Sequence, residues 1–168
     1  VKDAATADAE DHLLPSLEES MLATDLKGIR VGVVRYRQGD NPHVLSVYEN
    51  ALETLEAAGA ELVDINDFEQ PDSFWSDSYT VLLSEFHHTI DAYLADSPAD
   101  IPARNLEALI AFNKTDKKEL VLFNQDIFEK SLAAPAIDSD EYKSALSLVQ
   151  NTAGTNGIDK LMQDNGVD

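Results

Sequence analysis

The stretch from Leu26 to Ile65 constrains this chain more than any other. Ile29, Val31, Val33 and Val34 make a short run rich in β-branched side chains, which suits a buried strand. Gly39-Asp40-Asn41-Pro42 interrupts it. Asn41 is placed to cap a helix, and Pro42 falls at the first helical position, where a missing N–H is harmless. Val44, Tyr48, Ala51, Leu52, Leu55 and Ala58 then recur every three or four residues and so share one helix face. Gly59 supplies the stop, since a residue without Cβ takes positive φ freely. Leu62, Val63 and Ile65 resume as a second strand. Strand, helix and strand of these lengths predict a right-handed crossover unit with parallel strands.

Helices are expected beyond this unit. Asn66 to Asp72 is a polar connection, and Asp72 or Ser73 is the expected cap of a long helix. Trp75, Tyr79, Leu82, Leu83, Phe86, Ile90, Tyr93 and Leu94 keep helical spacing for about six turns and read as a core stripe. Ser97-Pro98 ends it. Asn105 is the next expected cap, with Leu106, Leu109 and Ile110 buried behind it. Glu119 to Leu132 reads as one amphipathic helix with Leu120, Phe123, Ile127, Phe128 and Leu132 on one side. Asp138, Asp140 and Glu141 supply the negative charge that favours a helix start. Residues 1–25 are small and acidic and read as a lead-in, with a short helix at Pro15 to Leu22. Residues 26–168 are expected to form a single α/β domain, a length that can bury a sizeable core.

Five segments in order resemble the amidase signature family, downstream of its nucleophile. Leu26-Lys27-Gly28-Ile29-Arg30-Val31-Gly32-Val33 with Gly59-Ala60-Glu61-Leu62-Val63 is the first. Leu82-Leu83-Ser84-Glu85-Phe86 with Tyr93-Leu94 is the second. Asn105 to Asn113, containing Leu109-Ile110-Ala111-Phe112-Asn113, is the third. Phe123-Asn124-Gln125 falls where such enzymes carry F-G-Q. Tyr142 to Leu146, with Gly157-Ile158-Asp159-Lys160-Leu161, is the fifth. Asp3-Ala4-Ala5-Thr6-Ala7-Asp8 is similar to the linker that joins the family's catalytic half to this region.

The resemblance implies a portion of an α/β/α sandwich, within a hydrolase that cleaves carboxamide C–N bonds without a cofactor. The family's mechanism uses a serine nucleophile, a second serine and a lysine base, with an oxyanion held by backbone N–H groups in a Gly/Ser-rich loop. This chain has seven glycines, scattered, and no such loop. None of the catalytic residues therefore has a matching position, and the chain is expected to be catalytically incomplete. What the resemblance implies for this region is substrate shape, with Trp75, Tyr79, Phe123 and Gln125 as the candidate pocket residues. The expected partners are the remainder of an amidase chain and a small-molecule amide. A thin sheet with unpaired edges also predicts possible self-association.

A net charge of −20 repels phosphates and anionic headgroups, so direct nucleic-acid and membrane binding are not expected. The same surplus reads as a solubility device or as a docking face for a basic partner. No apolar run approaches the roughly 20 residues of a membrane span, no signal peptide is visible, and a cytoplasmic location is expected. The absence of an initial Met points to part of something longer. With no cysteine, thiolate sites are excluded. Glu85, His87 and His88 share one helical turn, but His12 and His43 stand in unrelated contexts, so no metal site is expected. The alternative reading is a free-standing, non-catalytic binding or scaffold module derived from the same fold.

Overall fold

The computed structural model describes residues 25–98, 100–116 and 118–168. The expected linker at Asp3 to Asp8 and the short helix at Pro15 to Leu22 lie outside the described residues. The chain divides into two compact units. One holds, among the described residues, 25–68 and Met162–Asp168, and the other holds Glu69–Leu161.

The first unit contains β1 (Arg30–Val34), a 3-10 turn at Arg35–Arg37, α1 (Pro42–Ala57) and β2 (Glu61–Ile65). The strands pair in parallel, Arg30 opposite Glu61 and Val34 opposite Ile65, so the class is α/β as expected. Asn41 caps α1 through its side chain, accepting from the N–H groups of His43 (3.0 Å) and Val44 (3.4 Å), with Pro42 at the first position. Gly59 takes φ +103°, and a Cβ there would lie 3.1 Å from the Lys27 nitrogen. Val33, Leu52, Ala60 and Ile65 are buried. Val44 and Ala51, expected on the inner face of α1, are exposed. Leu52 is the buried residue of the helix, because a two-stranded sheet is too narrow to cover its whole apolar stripe. Arg35 ties the unit together, with Nε on Asp64 (2.7 Å) and Nη1 on Glu49. Asp64 first and then Glu49 raise its pKa further. Beside β1, the Arg30 N–H donates to Asp168 Oδ2, and the Asp168 N–H donates to the Arg30 carbonyl, both at 2.9 Å.

The second unit holds α2 (Phe74–Ala95), α3 (Leu106–Thr115), α4 (Glu119–Leu122), α5 (Asp126–Leu132) and α6 (Asp140–Ala153). A π-type turn at Gly154–Ile158 leads into α7 (Asp159–Asn165). Helix α2 is the centre of this unit and packs on α6, α5 and α3. Leu83, Ala103, Leu106, Ile110, Tyr142 and Ala145 form its core. Asn105 caps α3 by accepting from Ala108 N–H at 2.8 Å, as its position predicts. Ser73 stands at the start of α2 but makes no side-chain cap bond. Ser139, flanked by the expected acids, is the side chain that caps α6, accepting from Tyr142 N–H. Asp140 and Glu141 follow in the first turn, where carboxylates complement the helix dipole.

Two expectations are corrected here. The α2 stripe is core on one side only: Leu83 is buried and Phe86 half-buried, but Trp75, Tyr79, Leu82 and Tyr93 are exposed. Its apolar arc is wider than the face that α3, α5 and α6 cover. The expected continuous helix from Glu119 to Leu132 is two short helices, α4 and α5, with Phe123 in extended backbone between them. The Asn124 side chain accepts from Asp126 N–H, which competes with helical continuation. Leu120, Phe123 and Ile127 are therefore exposed rather than aligned on one inner face, while Phe128 stacks on Phe86 with ring centroids 5.6 Å apart. Among the described residues no helix is long and apolar enough to cross a membrane.

Candidate functional site

The break between α4 and α5 sets the first pair of candidate residues. Gln125 stands immediately before α5 and is 8% exposed. Its Nε2 donates to the Ile110 carbonyl and its Oε1 accepts from Asn113 Nδ2, both at 3.3 Å. Both partners lie on α3, so the side chain fastens the start of α5 to the middle of α3. A buried amide with both ends satisfied holds one orientation, since losing either bond leaves a desolvated polar group. Phe123, two residues earlier, is 79% exposed in extended backbone (φ −131°, ψ 139°). The anchor thus presents an aromatic ring to the surface from a fixed base.

Trp75 and Tyr79 are the second pair, one turn apart on α2. Trp75 is 62% exposed and meets Phe74 edge-on, with centroids 5.1 Å apart. Tyr79 is 42% exposed. Lys130 on α5 is paired with Asp126 at 3.0 Å, and this bond, with a smaller contribution from Tyr79, raises its pKa. The same Lys130 bond holds the Asp126 carboxyl below the usual range. The hydrogen bonds of Gln125 run to α3, not to Phe123, Trp75 or Tyr79.

Glu85 and His87 have different partners. Glu85 Oε1 accepts from the Tyr142 hydroxyl at 2.7 Å, joining α2 to α6. His87 Nε2 lies 3.4 Å from Asp91 Oδ2, and Asp91 Oδ1 accepts from Leu106 N–H at 2.7 Å. Among the described residues, no group of three His, Cys, Asp or Glu is arranged to hold a metal ion. The Tyr142–Glu85 and Asp91–Leu106 contacts span 57 and 15 residues, and no local pattern announces either.

The Tyr142–Glu85 bond carries a testable pH dependence. The bond to Glu85, followed by burial, raises the phenol pKa above its ordinary 10.0. A raised folded pKa means the stabilisation is fully present below pH 10.0 and is lost as pH climbs through the folded value. Tyr142→Phe is expected to lower stability by about 1.5–3 kcal/mol at neutral pH, the usual worth of a hydrogen bond to a charged group. It should also flatten the alkaline fall. Urea unfolding at neutral and alkaline pH checks both, and unchanged midpoints in the variant would contradict the assignment.

Comparison with known proteins gives a consistent result. A family model described as Amidase matches residues 3–168. A glutamyl-tRNA(Gln) amidotransferase subunit from Chlorobium phaeobacteroides (strain BS1) is 39% identical over 66 residues, which are 38% of this chain and 14% of that protein. The protein of the same name from Mycobacterium bovis (strain BCG / Pasteur 1173P2) is 36% identical over 103 residues, 60% of this chain and 18% of that one. The crystal structure of native peptide amidase from Stenotrophomonas maltophilia superposes with a TM-score of 0.77 and 27% identity, covering 100% of this chain and 35% of its own. The matched region is thus under a fifth of the curated relatives' length and about a third of the solved enzyme's.

Proposed function

The chain belongs to the amidase family, and from that premise we propose that it is a portion of a hydrolase cleaving carboxamide C–N bonds in small molecules. The observation that carries this reading is the match to peptide amidase across the whole of this chain but only 35% of that enzyme. On this reading the serine nucleophile, the second serine and the lysine base belong to the remainder of the polypeptide. This span supplies shape. Phe123, fixed from behind by Gln125, borders the acyl or leaving-group pocket together with Trp75 and Tyr79. The other exposed apolar side chains, Leu82, Val121 and Leu122 among them, pack against the remainder of the chain or, failing that, against a second copy.

The relatives named for glutamyl-tRNA raise the alternative of a tRNA-bound substrate. The −20 charge favours a small amide, because contact with tRNA phosphates needs cationic surface. Phe123→Ala in the native-length protein is expected to raise KM about tenfold with kcat little changed, the pattern of an apolar contact made equally in ground and transition states. An unaltered KM removes Phe123 from the pocket. The native polypeptide is expected to have a mass about three times the 18.4 kDa of this chain. A native mass of 18.4 kDa would favour the free-standing binding module instead.

A further inference from the structure

The outer edge of β1 already carries one main-chain contact of the kind that a further strand would make. On its inner side β1 pairs with β2, and the Glu61 N–H donates to the Ile29 carbonyl at 2.9 Å. Successive residues of a strand turn their backbone groups in opposite directions, so Ile29, Val31 and Val33 serve β2 while Arg30, Gly32 and Val34 face outward. Both outward groups of Arg30 are engaged by Asp168, whose N–H donates to the Arg30 carbonyl and whose Oδ2 accepts from the Arg30 N–H. The approach of this segment is fixed by neighbouring contacts. Gly166 turns the chain out of α7 at φ +59°. Arg30 Nε donates to the Gly166 carbonyl at 2.6 Å, and Nη2 to the Asn165 carbonyl at 3.4 Å. Val167 lies over Gly32, where a Cβ would stand 3.2 Å from its Cγ2. Beyond Arg30 the edge is open, since the outward groups of Gly32 and Val34 have no partner among the described residues. Neither a proline nor a charged side chain stands at these two positions, although strands that face water usually carry such guards.

We propose that the outer edge of β1 is an interaction surface for the segment that continues from Asp168 in the native-length polypeptide, which pairs along Gly32 and Val34 as a parallel strand. The edge itself sets the direction. An antiparallel continuation would run toward the turn at Gly28 (φ +89°), before β1 begins, whereas a parallel one meets both open residues. The inference rests on the reading of this chain as a portion of a longer one, and goes beyond it in naming where the remainder attaches.

Amide hydrogen exchange in the native-length protein, resolved residue by residue, tests it. Gly32 and Val34 are expected to exchange as slowly as Val31 and Val33, at least about a hundredfold below the rate of an open edge. Slow exchange at Val31 and Val33 with fast exchange at Gly32 and Val34 would overturn the proposal. So would protection that is lost on dilution, which marks a second copy on the edge. Val34→Pro supplies an independent measurement. Val34 holds φ −78°, within the range that proline fixes, so the substitution removes the outward N–H without forcing the backbone. It is expected to lower the melting temperature of the native-length protein below that of Val34→Ala, and equal temperatures would mean that this N–H meets only water. The native mass tests the parent reading separately, so a polypeptide longer than 18.4 kDa with an open β1 edge refutes this inference alone.

Discussion

Replacing Gly157 with alanine is expected to disrupt the junction between α6 and α7. A Cβ built on Gly157 would lie 2.1 Å from the Thr152 carbonyl oxygen and 3.1 Å from its carbon. Both atoms are backbone, so no flexible side chain can swing away. The residue holds φ −112°, ψ −105°, inside the π-type turn at Gly154–Ile158, and is buried. Relief requires the turn to unwind, which also detaches the end of α6 at buried Thr152. The expected loss is about 3 kcal/mol or more, the upper range for overpacking, because the clash is with main chain. Gly154→Ala is the matched control. A Cβ at Gly154 meets nothing within 4 Å, so that variant should stay within about 1 kcal/mol of the parent. Paired urea melts of the two variants check this. Equal stability of the two would contradict the close approach at Thr152.

Truncating Leu106 is expected to be nearly as damaging. Leu106 is the most deeply buried large side chain in the second unit, with no exposed surface. It opens α3, and its N–H is bonded to Asp91 Oδ1 on α2, so the side chain cannot shift far to refill a cavity. Leu106→Ala should therefore destabilise by about 3–5 kcal/mol, from lost transfer free energy and from the void left behind. Leu106→Met, which keeps the volume, should lose less than about 1.5 kcal/mol. The contrast in unfolding midpoint between the two measures packing at this point. A small effect of alanine would mean that α2 and α3 are not closely packed there.

Local features of this fold are legible in the sequence, because their causes lie within a few residues. Asn41 and Asn105 cap helices through N–H groups two or three residues away, and Gly59 takes its positive φ from the turn it occupies. The parallel pairing of β1 and β2 follows from the crossover helix between them. Other features depend on distant partners. Phe123 leaves the helix that its periodicity predicts, at a junction where Gln125 is tied to Ile110, 15 residues back. Arg30 meets Asp168 across 138 residues. Periodicity marks Trp75, Tyr79 and Leu82 as one apolar face but is silent on what covers it, and within this chain they are exposed. Of the candidate site, the sequence offers Trp75, Tyr79 and Phe123 only as candidates by resemblance to the family. It does not show that Gln125 is an anchor, since that follows only from α3 packing beside α5.

The most direct test is ammonia release from a panel of small carboxamides, by the native-length polypeptide and by the isolated 168-residue chain in parallel. Turnover is expected from the native-length polypeptide and none from the isolated chain, because no residue of this span matches the family's nucleophile or its base. Turnover by the isolated chain, or no hydrolysis of any amide by the native-length polypeptide, would contradict it.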